Sequence, residues 1–366
     1  MTKWCLVPLA FSVIGCGGGG TASTATVGST PDIPTASVDG GVDGGTDGGT
    51  NGGEAAPPSW FVTSVPSQGL IMSIWGANKE NVVAIDDHGA IWSSSGDDQW
   101  SLAQDTGFDG AGLNAVTGDS GQNLFAGGWS RQLWHSSDAG RSWALVPTSK
   151  AIRINALGLA NGVLIVGAEE GLYSSRDGGR SLVAAGGVTD PVNGVYAHGD
   201  AVYAVGVNQT TSLVTAYTSR DAGLTFRAVA LDQIHRWTTG GIWSDGAGTV
   251  FLDGNAMEPP GVPAKDATQL GYVAVSHDDG ASFVSQELSP PMLLVRAWGT
   301  SASDVWISGV GRQLAHFDGT TWTRSVLPGT SPPDGSWTTL SSIWGTAADD
   351  IYVGGDHGLI AHLRRR

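Results

Sequence analysis

Apolar residues along the chain fall into short runs of four or five, separated by Gly, Asp, Asn and Ser, with no sustained helical period. Runs of this length, rich in Val, Ile and aromatic residues, read as β-strands bounded by turns. One series is "SIWG" (73–76), "NAVTG" (114–118), "NALG" (155–158), "NGVYA" (193–197), "GIWS" (241–244), "RAWG" (296–299) and "SIWG" (342–345). A second follows it each time: "VVAI" (82–85), "LFAGG" (124–128), "VLIVG" (163–167), "AVYAVG" (201–206), "VFLDG" (250–254), "VWISG" (305–309) and "IYVGG" (351–355). A third strand and a fourth opened by Trp or Phe complete each unit. The pattern predicts an all-β fold of seven units with four antiparallel strands each, and radial repetition of such units makes a seven-bladed β-propeller.

The last unit ends in "GLIAHLRRR" (358–366) and lacks a fourth strand. "SWFVTSVPS" (59–67) carries Trp60 and a trailing Pro, as "SWALVPT" (142–148) does inside an intact repeat. The N-terminal strand is therefore expected to complete the last blade and hide its edge.

Between third and fourth strands the chain writes "SSDAGRSW" (136–143), "SRDGGRSL" (175–182), "SRDAGLTF" (219–226) and "SHDDGASF" (276–283). Asp138, Asp177, Asp221 and Asp278 are expected to accept N–H bonds inside a turn, where Gly140, Gly179, Gly223 and Gly280 permit positive φ. Trp143, Phe226 and Phe283 are expected to pack between blades, with Leu182 the one departure at that position. Four copies argue for a structural task, so neither metal nor catalysis is assigned to these carboxylates. The pattern resembles the Asp-box, or BNR repeat, of propellers in sialidases, sortilin-like receptors and the photosystem II assembly factor family. "HFDGTTW" (316–322) is a shorter form of it and "SSSGDDQW" (93–100) a degenerate one. The resemblance implies the fold and is nearly silent on activity.

Residues 1–16, "MTKWCLVPLAFSVIGC", read as an export signal with Lys3 ahead of a short apolar stretch. Its end, "VIGC" (13–16), resembles the lipobox of bacterial lipoproteins, which implies cleavage before Cys16 and acylation of its sulfur. Gly17 follows, not Asp, and by resemblance to enterobacterial sorting this points to the outer membrane. Residues 17–58, rich in Gly, Asp and Thr, cannot bury enough apolar surface to fold, and a Gly-rich coil of that length reaches roughly 35 Å. The "DGG" repeats at Asp39, Asp43 and Asp47 recur every four residues, unlike the nine-residue period of Gly/Asp calcium repeats, so no metal is assigned there either. The propeller then occupies residues 59–366. The chain has two cysteines, and cleavage would leave one, so no disulfide is expected. A formal charge of −16 with only 18 Lys and Arg excludes a nucleic-acid partner. A monomer without cofactor is expected.

Strand order puts first-to-second and third-to-fourth turns on one face, the lower, where all are short. Length variation is confined to upper loops 208–214, 231–239, 255–269 and 327–337, which belong to blades 4 to 7. These loops carry His235, Arg236, Trp237, Met257, Glu258, Lys265 and Trp337, candidates for gripping a sugar ring or a peptide. A second candidate is a polar ring at the upper mouth, read one residue before the apolar pair of each inner strand: Ser73, Asn114, Asn155, Asn193, Gly241, Arg296 and Ser342. The alternative is that these side chains satisfy neighbouring backbone. A sialidase-like hydrolase would bring Arg153, Arg236 and Arg296 together beside a Tyr–Glu pair, as the resemblance implies. The Arg-Ile-Pro of those enzymes is missing, Glu occurs six times, and no Tyr falls in an upper loop. The Arg-rich patch of the assembly-factor family is also missing from this acidic chain. A non-catalytic binding or scaffold module for a glycan, peptide or protein is expected.

Overall fold

The computed structural model describes residues 58–107, 112–119, 122–208, 210–211, 213–231, 240–256, 270–289, 291–329 and 338–365. Cys16, the tether, and His235, Arg236, Trp237, Met257, Glu258, Lys265 and Trp337 lie outside them.

The strand pattern closes into seven four-stranded antiparallel sheets. Blades 1 to 7 span residues 71–105, 113–145, 154–184, 192–230, 242–287, 294–326 and 340–364. Six sheets keep the order of the sequence. In the seventh, Ser59–Ser64 pairs antiparallel with Leu359–Arg364, setting Trp60 opposite Leu363 and Ser64 opposite Leu359. The protein is a seven-bladed β-propeller with four antiparallel strands per blade, closed by its N-terminal strand. Among the described residues no helix is long and apolar enough to cross a membrane.

The core lies between blades. A four-stranded sheet presents two faces, and each can be buried only against its neighbour. Accordingly, seven apolar clusters form, one at each seam. Where the ring closes, Ile71, Val82 and Trp92 of blade 1 pack on Tyr352 and Ile360 of blade 7.

The recurring Trp-Gly pair is explained by two seams rather than one turn. A Cβ added to Gly118, Gly299, Gly345 or Gly76 would fall 2.7, 3.2, 2.8 or 2.5 Å from Cη2 of Trp75, Trp243, Trp298 or Trp344, respectively. Each Trp belongs to the blade before the glycine it covers. The indole fills a slot that a side chain would close, and the glycine beside it opens the slot for the indole behind.

Inner strands carry a β-bulge near their start in six blades, and the bulged residues are Met72, Asn114, Asn155, Asn193, Val295 and Ser341. This corrects the expected polar ring. Asn114, Asn155 and Asn193 are level with Met72, Val295 and Ser341; the residues level with Ser73, Arg296 and Ser342 are Ala115, Ala156 and Gly194. A bulge inserts one residue into a strand, so aligning on the apolar pair merges two registers that the backbone keeps apart.

Candidate functional site

The inner strands surround an axial cavity of about 330 Å³. Ser73, Asn114, Asn155, Asn193 and Arg296 all reach it, with Trp75, Trp243, Trp298 and Trp344 on the side of blades 1, 5, 6 and 7. Arg296 is the one charged side chain among the described residues of this lining.

The asparagines serve the seams. Asn114 Nδ2 donates to the carbonyl of Ile154 and Asn155 Nδ2 to that of Val192, each at 3.3 Å, tying a bulge to the inner strand of the next blade. Ser341 Oγ does the same across the closing seam, donating to Ile71 at 2.5 Å. Between blades 5 and 6 the tie comes from the second strand: Asn255 exchanges two 3.0 Å bonds with the backbone of Leu294. Asn155 also accepts from Trp129 Nε1 at 3.1 Å, and Asn193 is engaged as well. The first work of Asn114 and Asn155 is to satisfy backbone carbonyls of the next blade's inner strand.

Arg296 is different. It donates from Nη1 to the carbonyl of Val295 at 3.1 Å. Burial pushes its guanidinium pKa down, and the carboxylate of Asp253 opposes that push. Asp253 is fully buried, donates its N–H to the Gly241 carbonyl at 2.9 Å, and accepts Gly241 N–H on Oδ1 at 3.1 Å. Gly241 has no side chain to block this approach, which explains the gap it leaves in the polar series. The signal for Asp253 was present in the sequence, as one acid inside the otherwise apolar "VFLDG". Arg153 is exposed and outside the channel lining, and Arg236 is not described, so of the three expected arginines Arg296 alone is seen there. Tyr196 lines the channel with its hydroxyl pKa pushed up to about 12 by burial, and no glutamate joins it among the described lining residues.

The eight-residue boxes form hairpin turns on the lower face. In the first, Ser142 N–H donates to Asp138 Oδ1 at 2.9 Å, Ser142 Oγ to Oδ2 at 2.6 Å, and Ser136 Oγ to Oδ1 at 2.8 Å. Asp177, Asp221 and Asp278 accept the equivalent backbone bond from Ser181, Thr225 and Ser282 at 2.8, 2.9 and 2.8 Å. These bonds hold all four carboxyls at about 2. The opening serine, whose hydroxyl bridges the aspartate and the glycine N–H, escaped the sequence reading. Trp143, Leu182, Phe226 and Phe283 each pack on the preceding blade. Among the described residues no group of three His, Cys, Asp or Glu is placed to hold a metal ion.

Among the described residues, then, the propeller has an axial channel with one charged lining residue and a lower face of structural turns. No protein-family model matches the chain, and no curated protein does. Solved structures do match its fold. It is similar to YCF48 bound to D1 peptide (15% identity, TM-score 0.62, covering 85% of this chain and 100% of that one). It is similar to YCF48 from Cyanidioschyzon merolae (13%, TM-score 0.64, 84% and 99%). It is also similar to the GH74 xyloglucanase from Xanthomonas campestris (14%, TM-score 0.60), of which it spans about half, covering 83% of this chain and 53% of that one.

Proposed function

We propose that this protein is a non-catalytic binding propeller that takes a peptide segment of a protein partner at the upper mouth of its channel. The observation that carries the reading is Arg296, a half-buried guanidinium among tryptophans and amides already engaged by backbone. The positive charge of this guanidinium favours a carboxylate, and the flanking indoles supply apolar contact. The fold-level likeness to a propeller bound to a peptide supports a peptide over other ligands. The long loops of blades 4 to 7, with His235, Arg236, Trp237 and Trp337, would extend the grip. An acylated Cys16 and the 17–58 tether would hold the propeller clear of the outer membrane, where escort of another envelope protein is one use of the same surface. A glycan is the second reading, supported by the aromatic residues of those loops and the likeness in fold to a xyloglucanase.

Probing the full chain against an acidic-peptide library and a glycan array tests this. Binding of a peptide that weakens at least tenfold in Arg296→Gln is expected, in line with loss of a charge-assisted hydrogen bond. Peptide binding that is indifferent to Arg296→Gln, or turnover of fluorogenic sialosides, would overturn it.

A further inference from the structure

Three blades place a histidine at one point of the third strand, stacked on the aromatic residue opposite it in the second. Ring centroids are 3.8 Å apart for His362 on Tyr352, 4.1 Å for His316 on Trp306 and 4.7 Å for His135 on Phe125. What meets the imidazole then differs. His362 has a carboxylate at each nitrogen, Asp98 of blade 1 at 2.6 Å and Asp350 at 2.7 Å, while Arg364 grips the second oxygen of Asp98 at 2.8 Å. His316 has Asp304 at 2.7 Å. His135 has no carboxylate partner among the described residues.

The sequence difference is local. Asn123 stands level with Asp304 and Asp350, preceding Leu124 as they precede Val305 and Ile351, and its amide is tied to Asp119 at 3.1 Å. The turn of the following blade, which brings Asp98 to His362, brings Arg176 and Arg180 to the side of His135. Between them lies a lower-face pocket of about 360 Å³. Asp177 also borders it, but its carboxylate is held within its own turn by Ser175 and Ser181. Arg176 is available for a specific reason. The next turn's Arg220 donates to Tyr203 Oη and to the carbonyl of Asp279 at 2.9 Å and pairs with the Asp279 carboxylate. At the equivalent places stand Ile165 and Ala222, whose side chains offer neither a hydroxyl nor a carboxylate.

We propose that this pocket between blades 2 and 3 binds the carboxylate of an external ligand, with His135, Arg176 and Arg180 holding it as His362 and Arg364 hold Asp98. The molecule thus shows the same recognition twice, once filled by its own aspartate and once open. The site is on the opposite face from the channel mouth and independent of the reading given above. Burial and then the charge of Arg180 push the His135 pKa down, so in the free protein its ring is neutral around pH 7. A bound anion favours the protonated ring, and binding strengthens as pH falls. The other charged groups facing the ring are Asp119, Asp177, Arg176 and Arg180.

The test uses the full chain labelled in histidine, with the His135 resonance assigned by its loss in His135→Gln. Near pH 6, close to the ordinary imidazole pKa, the chain is titrated with glucuronate, inorganic phosphate or glucose to about 10 mM, tenfold above a millimolar dissociation constant. Glucuronate should shift the His135 resonance saturably, and more weakly at higher pH, while glucose should not. Replacing both exposed arginines, in Arg176→Ser/Arg180→Ser, should weaken glucuronate at least tenfold with the melting curve preserved. An unmoved His135 resonance, an equal shift in the double variant, an equal response to glucose, or binding of phosphate alone would overturn the proposal.

Discussion

Removing the imidazole of His362 tests how the ring is locked. His362 is 3% exposed, and its partners Asp98 and Asp350 are 14% and 16% exposed, so both contacts are shielded from water. The Asp98 contact joins residues 359–364 to a turn of blade 1 across the seam between blades 7 and 1, while Asp350 belongs to blade 7 itself. Burial alone would raise the Asp350 pKa, but the hydrogen bonds from His362 and Thr346 outweigh it and hold the carboxyl below its ordinary value. Breaking a buried charged pair by deleting one partner costs about 3–5 kcal/mol. Arg364 still serves Asp98 and Thr346 still serves Asp350, which puts His362→Ala at the lower end, about 3 kcal/mol. His316→Ala is the internal control. It loses the same aromatic stack, worth about 1 kcal/mol, but only one carboxylate contact, in a blade of continuous chain and with the histidine side chain 30% exposed. A cost of about 1–2 kcal/mol is expected there. For a chain of this size each kcal/mol moves Tm by about 2–4 °C, so thermal melts at pH 7 should separate the variants by several degrees. Equal shifts, or a His362→Ala loss under about 1 kcal/mol, would refute a special role for the closing seam.

Other consequences are as direct. The Asp278 carboxyl is held at about 2 by the Ser282 hydroxyl and N–H and by the Ser276 hydroxyl, so its stabilisation is full above the ordinary value of 3.8 and lost as pH falls through about 2. Asp278→Asn should therefore be less stable than the native chain at pH 7, and urea titrations should show the gap narrowing as pH drops from about 4 to 2; a constant gap would refute the assignment. Gly140 and Gly162 both have positive φ, +86° and +79°, but a Cβ on Gly140 would lie 2.5 Å from Val83 Cγ2 of the preceding blade while one on Gly162 meets open space. Gly162→Ala should cost about 1 kcal/mol of backbone strain, and Gly140→Ala about 2 kcal/mol more from overpacking. Equal costs in denaturant unfolding would show that the box turn does not press on its neighbour.

Repetition explains what could be read from the chain alone. Strands with period two, turns marked by Gly and Asp, and a box recurring from blade to blade are local features, so the number of blades, the strands in each and the closing strand followed without knowledge of any contact. The unpaired third strand at residues 358–366 and the stray Trp60 were enough to predict the seal. The candidate site was legible only in part. Arg296 does line the channel, yet the bulge moved Asn114, Asn155 and Asn193 out of its register, and the amides of Asn114 and Asn155 bond across the seams. His135, His316 and His362 are equivalent in strand position, and within their own blades only Asn123, in place of Asp304 and Asp350, sets His135 apart. The rest of the difference is the turn presented by the next blade around the ring, some 40 residues or most of the chain away. Local pattern therefore determined the blades themselves, whereas which charges meet at each seam was decided only when the ring closed, because those contacts join segments that share no period in the sequence.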